Sequence, residues 1–380
     1  MAVSGVQGAS ARNVATRASA SASSINYHFG SIEQLYGSSQ RRAIQQADSW
    51  LDSRLTDAAA GAPWPAEAFP AFAAEMIDAW VDTRRVEAQA EACDLMSRSR
   101  VPSETVPLWI DLWDQFWVQL LPLFTLDPEH APIVSSILQS ERLAHLARWR
   151  WPHDRAGLEE VCVRLVARLS GDASLLARAS PWRSGAERLT QQETGFPPLT
   201  GAAARIAQAV VAAVDEDGEE GLTHRAAAKR AGLSLGAVTH HFPTRSALTA
   251  AGYACLYQRL VDAAQGPGGR TAEHGDLGLH LSSMLDISAG APGAGAFELF
   301  SLAATRDEAL TPVAARVRYS RGLNTLRFLT PVAPDLTRLD GVLLSHWILS
   351  VGRSANAGHH RRDEAVRQFS HWAKVLFSRD

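Results

Sequence analysis

The sequence predicts an all-α chain built as two related halves, and three observations lead there. The stretch Gly8–Leu35 reappears without a gap as Gly221–Leu248, at a constant offset of 213 positions, with nine of the 28 aligned pairs identical. Each copy spaces three hydroxyl side chains ten or eleven positions apart, Ser10, Ser21 and Ser31 in the first and Thr223, Ser234 and Thr244 in the second. Such oxygens accept hydrogen bonds from the unpaired amides of a first helical turn, so aligned hydroxyls imply aligned helix starts. Through the remainder, apolar residues recur at helical spacing. Copies this far apart are no solenoid, whose repeats stack every 20 to 50 residues or so. They read as two homologous units fused head to tail.

Composition narrows the class. The chain has 380 residues, 46% hydrophobic and 20% charged, which is the balance of a globular protein with room for two or three cores. No run of 18 apolar residues suggests a membrane span, and the N-terminus lacks a secretory pattern. Cys93, Cys162 and Cys255 are scattered and odd in number, which argues against a disulfide framework or a zinc site and fits a reducing cytoplasm. With a formal net charge of −3, any contact with nucleic acid must run through a local basic face. No His-Glu-x-x-His, P-loop or nucleophile elbow occurs, so no enzyme, metal or cofactor is expected.

The second copy is the more complete. Ile206, Val210, Val211 and Val214 form a helical stripe over 201–214, followed by the acidic run Asp215–Glu220. Two short helices then start at Thr223 and Ser234, separated by Ala231-Gly232-Leu233, where Gly232 suits a left-handed C-terminal turn. This is a helix-turn-helix. Ala227, Ala228 and Ala231 give the first helix a small face, and Leu235 and Val238 turn the second inward, with Phe242 and Leu248 as anchors. Its outward face is Gly236, Ala237, Thr239 and His240, matched in the first copy by Ser23, Ser24, Asn26 and Tyr27. These are small or hydrogen-bonding residues, fit for a major groove. Arg225, Lys229, Arg230 and Arg245 supply positive charge, set apart in sequence from the acidic run.

The segments Ser-Ile-Asn-Tyr-His-Phe-Gly-Ser (24–31) and Ala-Val-Thr-His-His-Phe-Pro-Thr-Arg (237–245) resemble the end of the recognition helix and the start of the fourth helix in the tetracycline-repressor (TetR) family. The resemblance covers some 45–60 residues of each half. It implies an all-α regulator with a three-helix DNA-binding head and a helical body holding a ligand pocket and a dimer interface. Carried over by position, DNA contacts fall on Ser10, Arg12, Ser21, Ser23, Asn26, Tyr27 and His28, and on Thr223, Arg225, Ser234, Gly236, Thr239, His240, His241, Thr244 and Arg245. The first copy departs in three ways. It has no counterpart of the helix over 201–217, Ile32 stands where the family favours a cation and the second copy has Arg245, and Ser19 replaces Gly232. All three weaken the first head, the last by about 1 kcal/mol if the turn needs φ > 0.

Beyond the heads, the division expected is 1–50 first head, 51–172 first regulatory body, 173–199 linker, 200–260 second head and 261–380 second body. Helices are predicted over Ser31–Leu55, from Phe69 to Trp80, over Arg84–Arg98, Leu108–Leu121, Ile133–Arg150 and Leu158–Leu169. In the second half they are predicted over Asp276–Ser288, Phe297–Thr305, Pro312–Leu329, Leu336–Val351 and Asp363–Phe377. Gly171–Thr200 reads as a tether and Gly266–Gly269 as a loop. Trp109, Trp113 and Trp117 recur every four residues on one helix face. The commoner reading of such a stripe is core, or the seam between halves. The competing one makes Phe72, Met76, Trp80, Trp109 and Trp113 the lining of a pocket for a planar ligand. His359-His360-Arg361-Arg362 reads as a solvated loop. The expected protein is a cytoplasmic, nucleoid-associated repressor, a single-chain pseudo-dimer on double-stranded operator DNA, released by a small-molecule inducer, with no membrane and no obligatory partner subunit. The alternatives are a protein whose second head alone works, by pairing between chains, and a ligand-binding module that has lost DNA binding.

Overall fold

Hydroxyl side chains close the helix starts where the spacing puts them. Ser21 Oγ accepts from the Ser24 amide and Ser31 Oγ from the Gln34 amide, while Thr223, Ser234 and Thr244 accept from Ala226, Ala237 and Ala247. The computed structural model describes residues 11–97, 104–193, 199–265, 277–290, 293–356 and 362–377, and every regular element among them is helical. Ser10, Gly266–Gly269 and His359–Arg361 lie outside the described residues.

The first half comprises α1 (Ala11–Arg17), α2 (Ala22–Phe29), α3 (Ile32–Ala59), α4 (Phe69–Thr83), α5 (Arg85–Met96), α6 (Val106–Leu120), α7 (Ala131–His145) and α8 (Trp151–Ser170). Between the halves come α9 (Ala173–Leu176) and α10 (Pro181–Glu193). The second half comprises α11 (Gly201–Asp217), α12 (His224–Ala231), α13 (Leu235–His241), α14 (Arg245–Gln265), α15 (Leu277–Gly290), α16 (Ala294–Ala304), α17 (Thr311–Ser320), α18 (Leu323–Leu329), α19 (Arg338–Asn356) and α20 (Arg362–Phe377). Pro70, Pro107, Pro132 and Pro152 sit in the first turns of α4, α6, α7 and α8, where the missing N–H has no helical partner to lose. Helix α8 therefore starts at Trp151, ahead of the expected Leu158, with the Asp154 carboxylate accepting from the amides of Trp149 and Arg150.

Three expectations change. The helix predicted over 312–329 is two, broken at Gly322, whose φ of +86° no side chain adopts readily. A Cβ there would lie 2.5 Å from the backbone of Gly341, so α18 and α19 cross at two facing glycines. The head–body boundaries at 50/51 and 260/261 fall inside single helices, because α3 and α14 run through them. Nearly half of the tether is the docked helix α10, packed on α8 and α17 with Arg183, Ala186 and Thr190 buried. The Glu160 carboxylate seats its start by accepting from the amides of Trp182 and Arg183. Its attachment is mostly polar, which apolar periodicity does not register.

The halves share one core. Trp50, Trp80, Trp109, Trp113 and Trp117 join Leu343, Trp347 and Phe369 in a single buried cluster, and α7 lies along α19. The Trp stripe is thus core. A second cluster gathers α11–α14 with α16 and α17. Among the described residues no helix is long and apolar enough to cross a membrane.

Beside this core runs a buried ionic seam that the sequence reading missed. Glu141 of α7 pairs with Arg183 of α10 at 3.1 Å and with Arg318 of α17 at 3.2 Å, and His346 of α19 lies 3.6 Å away. Arg318 also reaches Asp154 at 3.4 Å and His145 Nδ1 at 3.0 Å, and the Tyr319 hydroxyl donates to Asp154 at 2.6 Å. Farther along, Arg164 and Arg168 of α8 converge on the fully buried Asp340 of α19.

Burial holds His145 and His346 below their ordinary value of 6.5, so both are neutral in the folded chain at neutral pH. The unfolded chain takes up these protons near pH 6.5 and the folded chain does not, so stability falls as pH drops below that value. Burial raises the carboxyls of Glu141 and Asp340, but their cationic neighbours outweigh it and hold both low. Their contribution is present above the unfolded values of 4.5 and 3.8 and is lost below them, in a second stage. Urea unfolding from pH 8 to pH 5 is expected to show a loss beginning near pH 6.5, approaching ~1.4 kcal/mol per histidine per pH unit. A flat profile from pH 8 to 5 would show both rings to be solvated.

Candidate nucleic-acid interface

The second head is assembled around α11. Ile206, Ala207 and Val210 meet Ala227, Ala228, Val238, Phe242 and Leu248 in one cluster. Gly232 takes φ +63°, and the Leu233 amide closes back on the Ala228 carbonyl at 3.0 Å. His224 Nε2 lies 2.7 Å from the Phe242 carbonyl, tying the start of α12 to the end of α13. Helix α13 is too short to persist unsupported, since isolated helices under ~12–15 residues are marginal; its cap and the buried pair Val238 and Phe242 hold it. Leu235, expected to point inward, is 48% exposed, and the i, i+4 pair carries the inner face instead.

Of the positions predicted to touch DNA in this head, Thr223, Arg225, Ser234, Gly236, Thr239, His240, His241, Thr244 and Arg245 are all exposed. The Thr239 hydroxyl donates to the Leu235 carbonyl, which leaves its lone pairs outward. The basic set is smaller than expected. Arg230 is ion-paired to Glu216 at 2.5 Å and lies 3.8 Å from Asp217, because the end of α11 folds back beside α12. The acidic run, distant in sequence, is adjacent in space. Arg225, Lys229 and Arg245 are exposed with no acidic partner among the described residues, and they make up the positive face.

The first head repeats the geometry with less support. Ala15 and Ile25 are buried between α1 and α2, and Arg12, Ser21, Ser23, Asn26, Tyr27 and His28 are exposed. Phe29 is 39% exposed where its counterpart Phe242 is 9% exposed, because no described helix covers it as α11 covers the second head. Ser19 takes φ +51° and the Ala20 amide closes on the Ala15 carbonyl at 2.9 Å, so the turn demands the left-handed conformation that Gly232 supplies in the other copy. Ser19→Gly is expected to stabilise this head by ~1 kcal/mol, slowing hydrogen exchange of α1 and α2 amides about fivefold. Unchanged exchange would mean the turn carries no strain.

Both heads are anchored by polar contacts absent from the sequence reading. On α3 the Tyr36 hydroxyl donates to Asp94 at 3.1 Å, and the fully buried Gln40 donates to the Ala90 carbonyl and accepts from Trp109 Nε1. On α14 the Ser246 hydroxyl donates to Asp307 at 2.5 Å. Gln89 and Arg85 of α5 both donate to the Thr305 carbonyl at 3.0 Å, so α5 joins the two attachments across the halves. Gln40 was legible in principle, since it shares a helical stripe with Ala43, Ala47 and Trp50.

The candidate ligand pocket is corrected. Met76, Trp80, Trp109 and Trp113 are at most 2% exposed, and Phe72 is half-buried. Trp80 packs at 5.4 Å from Trp113 and 6.4 Å from Trp109, Phe72 at 5.2 Å from Phe124, and the Arg142 guanidinium sits 3.7 Å over Trp113. The space a planar ligand would need is filled by rings. Among the described residues no His, Cys, Asp and Glu group could hold a metal ion.

No family model matches the chain, and no curated protein matches it. What the chain does is therefore read from its own two heads.

Proposed function

We propose that the chain is a DNA-binding transcriptional regulator of TetR-like build, a repressor released by a small-molecule ligand, that engages an asymmetric pseudo-palindromic operator as a single-chain pseudo-dimer. The observation that carries this reading is the matched pair α2 and α13. Each is capped by an aligned serine, held by an aligned aliphatic residue (Ile25 and Val238), and faces outward with residues that are small or able to hydrogen-bond. Paired units of this kind reach successive major grooves about 34–36 Å apart. The shared core of the two halves supports a joint action without a second chain, since a covalent link replaces dimerisation by a roughly millimolar effective concentration.

A mobility-shift assay with the DNA flanking the coding region, paired with light scattering of the complex, tests this. One chain per site and a retardation that weakens with salt are expected. One observation favours a second reading. The exposed Phe29 leaves the first head poorly braced, so the second head alone could bind, with two chains per site. Scattering separates the two, and no retardation at all would leave a ligand-binding module.

A further inference from the structure

A cavity of ≈ 30 Å³ lies where the halves meet, lined on one side by Met96 and Leu143 of the first half and on the other by Tyr253, Ser301, Val317 and Arg321 of the second. That volume holds about two waters, the room a carboxylate group with a short tail would take. Its charge is unbalanced. The guanidiniums of Arg318, Arg321 and Arg353 line it, and no carboxylate does.

The pairings locate the excess. Arg183 and Arg318 share Glu141, Arg318 also meets Asp154, and Arg353 grips Glu298 through its Nε at 3.2 Å and one terminal nitrogen at 3.0 Å. Arg321 is left over. No carboxylate lies within ion-pair distance of it among the described residues, its Nε is buried without a hydrogen-bond partner, and its guanidinium rests 5.7 Å over the Phe297 ring. Arg321 is part-buried, and a cation drawn partly out of water without an anion is costly unless something pairs with it. Burial depresses the guanidinium's hold on its proton, and Arg353 adds to this, although Tyr253, Glu298 and Glu141 act in the opposite direction.

We infer that this cavity is a binding site for a short aliphatic carboxylate, paired with the Arg321 guanidinium and with its alkyl end against Met96, Leu143 and Val317. The planar fork of an arginine matches a carboxylate through two parallel N–H···O bonds. The Tyr253 hydroxyl, now 2.8 Å from Ser301 Oγ, stands at the same cavity and can turn its proton to the ligand. The site stands without the DNA-binding reading; only its use as the inducer site rests on that reading.

Isothermal titration of the full chain with acetate, with acetamide as the neutral isostere and sodium chloride at equal ionic strength as control, tests the inference. Acetate is expected to bind at one site per chain, acetamide and chloride not. Arg321→Met should weaken acetate at least tenfold, and Tyr253→Phe severalfold, with circular dichroism checking that each variant folds. Absent acetate binding, acetamide binding as tightly as acetate, or undiminished binding in Arg321→Met would overturn it. If Arg321→Met does not fold, undiminished binding in Tyr253→Phe does so. Repeating the mobility shift with acetate separates the two readings, because loss of retardation bears on the inducer role while the heat of binding bears on the site alone.

Discussion

Glu141→Gln is expected to lower the unfolding free energy by about 3–5 kcal/mol, the usual consequence of removing one partner from a buried ionic group. Glu141 is fully buried, and its two oxygens meet Arg183 and Arg318, which are themselves 2% and 4% exposed. A glutamine there keeps the shape but takes from Arg183 its ion pair and leaves Arg318 with Asp154. Because the pairs join α7 to α10 and α17, the loss falls on the junction of the halves and not on one helix. Urea unfolding at pH 7.5 measures it. A second variant isolates the cause: Glu141→Leu combined with Arg183→Met removes that ion pair while leaving Arg318 on Asp154, and should recover part of the loss. A single-variant cost below ~1 kcal/mol is the value for a solvated surface pair and would show that water reaches the seam.

His240→Ala should weaken operator binding by about 5- to 150-fold, the range for loss of one good base contact, and Tyr27→Ala by less. The ordering follows from support, not from the residues. Helix α13 is braced by α11, by the His224 to Phe242 tie and by a strain-free Gly232 turn. Helix α2 rests on Ile25, an exposed Phe29 and a strained Ser19 turn, so part of its contact energy offsets its own ordering. Fluorescence anisotropy at one fixed salt concentration gives both numbers. A larger loss from Tyr27→Ala reverses the ordering. Ser23-Ser24-Ile25-Asn26-Tyr27 also differs from Gly236-Ala237-Val238-Thr239-His240, so selected sites should be asymmetric, and an obligatory perfect palindrome would contradict two unlike reading helices.

Local signals were the readable ones. The caps at Ser21, Ser31, Thr223, Ser234 and Thr244, the left-handed turn at Gly232 and its strained copy at Ser19 all follow from a few adjacent residues and their backbone preferences. The Trp109, Trp113 and Trp117 stripe likewise announced a buried face. Periodicity says that a face is buried, though, and not whether rings or a ligand fill it, so the pocket reading of Phe72, Met76, Trp80, Trp109 and Trp113 had to wait for the packing.

By themselves, the residues determined the all-helical class, the duplicated helix-turn-helix and the exposed positions of its outer face, because capping and amphipathic spacing act within a turn or two of chain. Tertiary structure alone decided that Arg230 is spent on Glu216, that α10 is a docked brace, and that Glu141, Arg318 and His346 meet at one buried junction. Those contacts join groups up to 205 positions apart, from Glu141 to His346. A charge carries no periodic mark of its partner, and only the folded path of the backbone brings the two within reach.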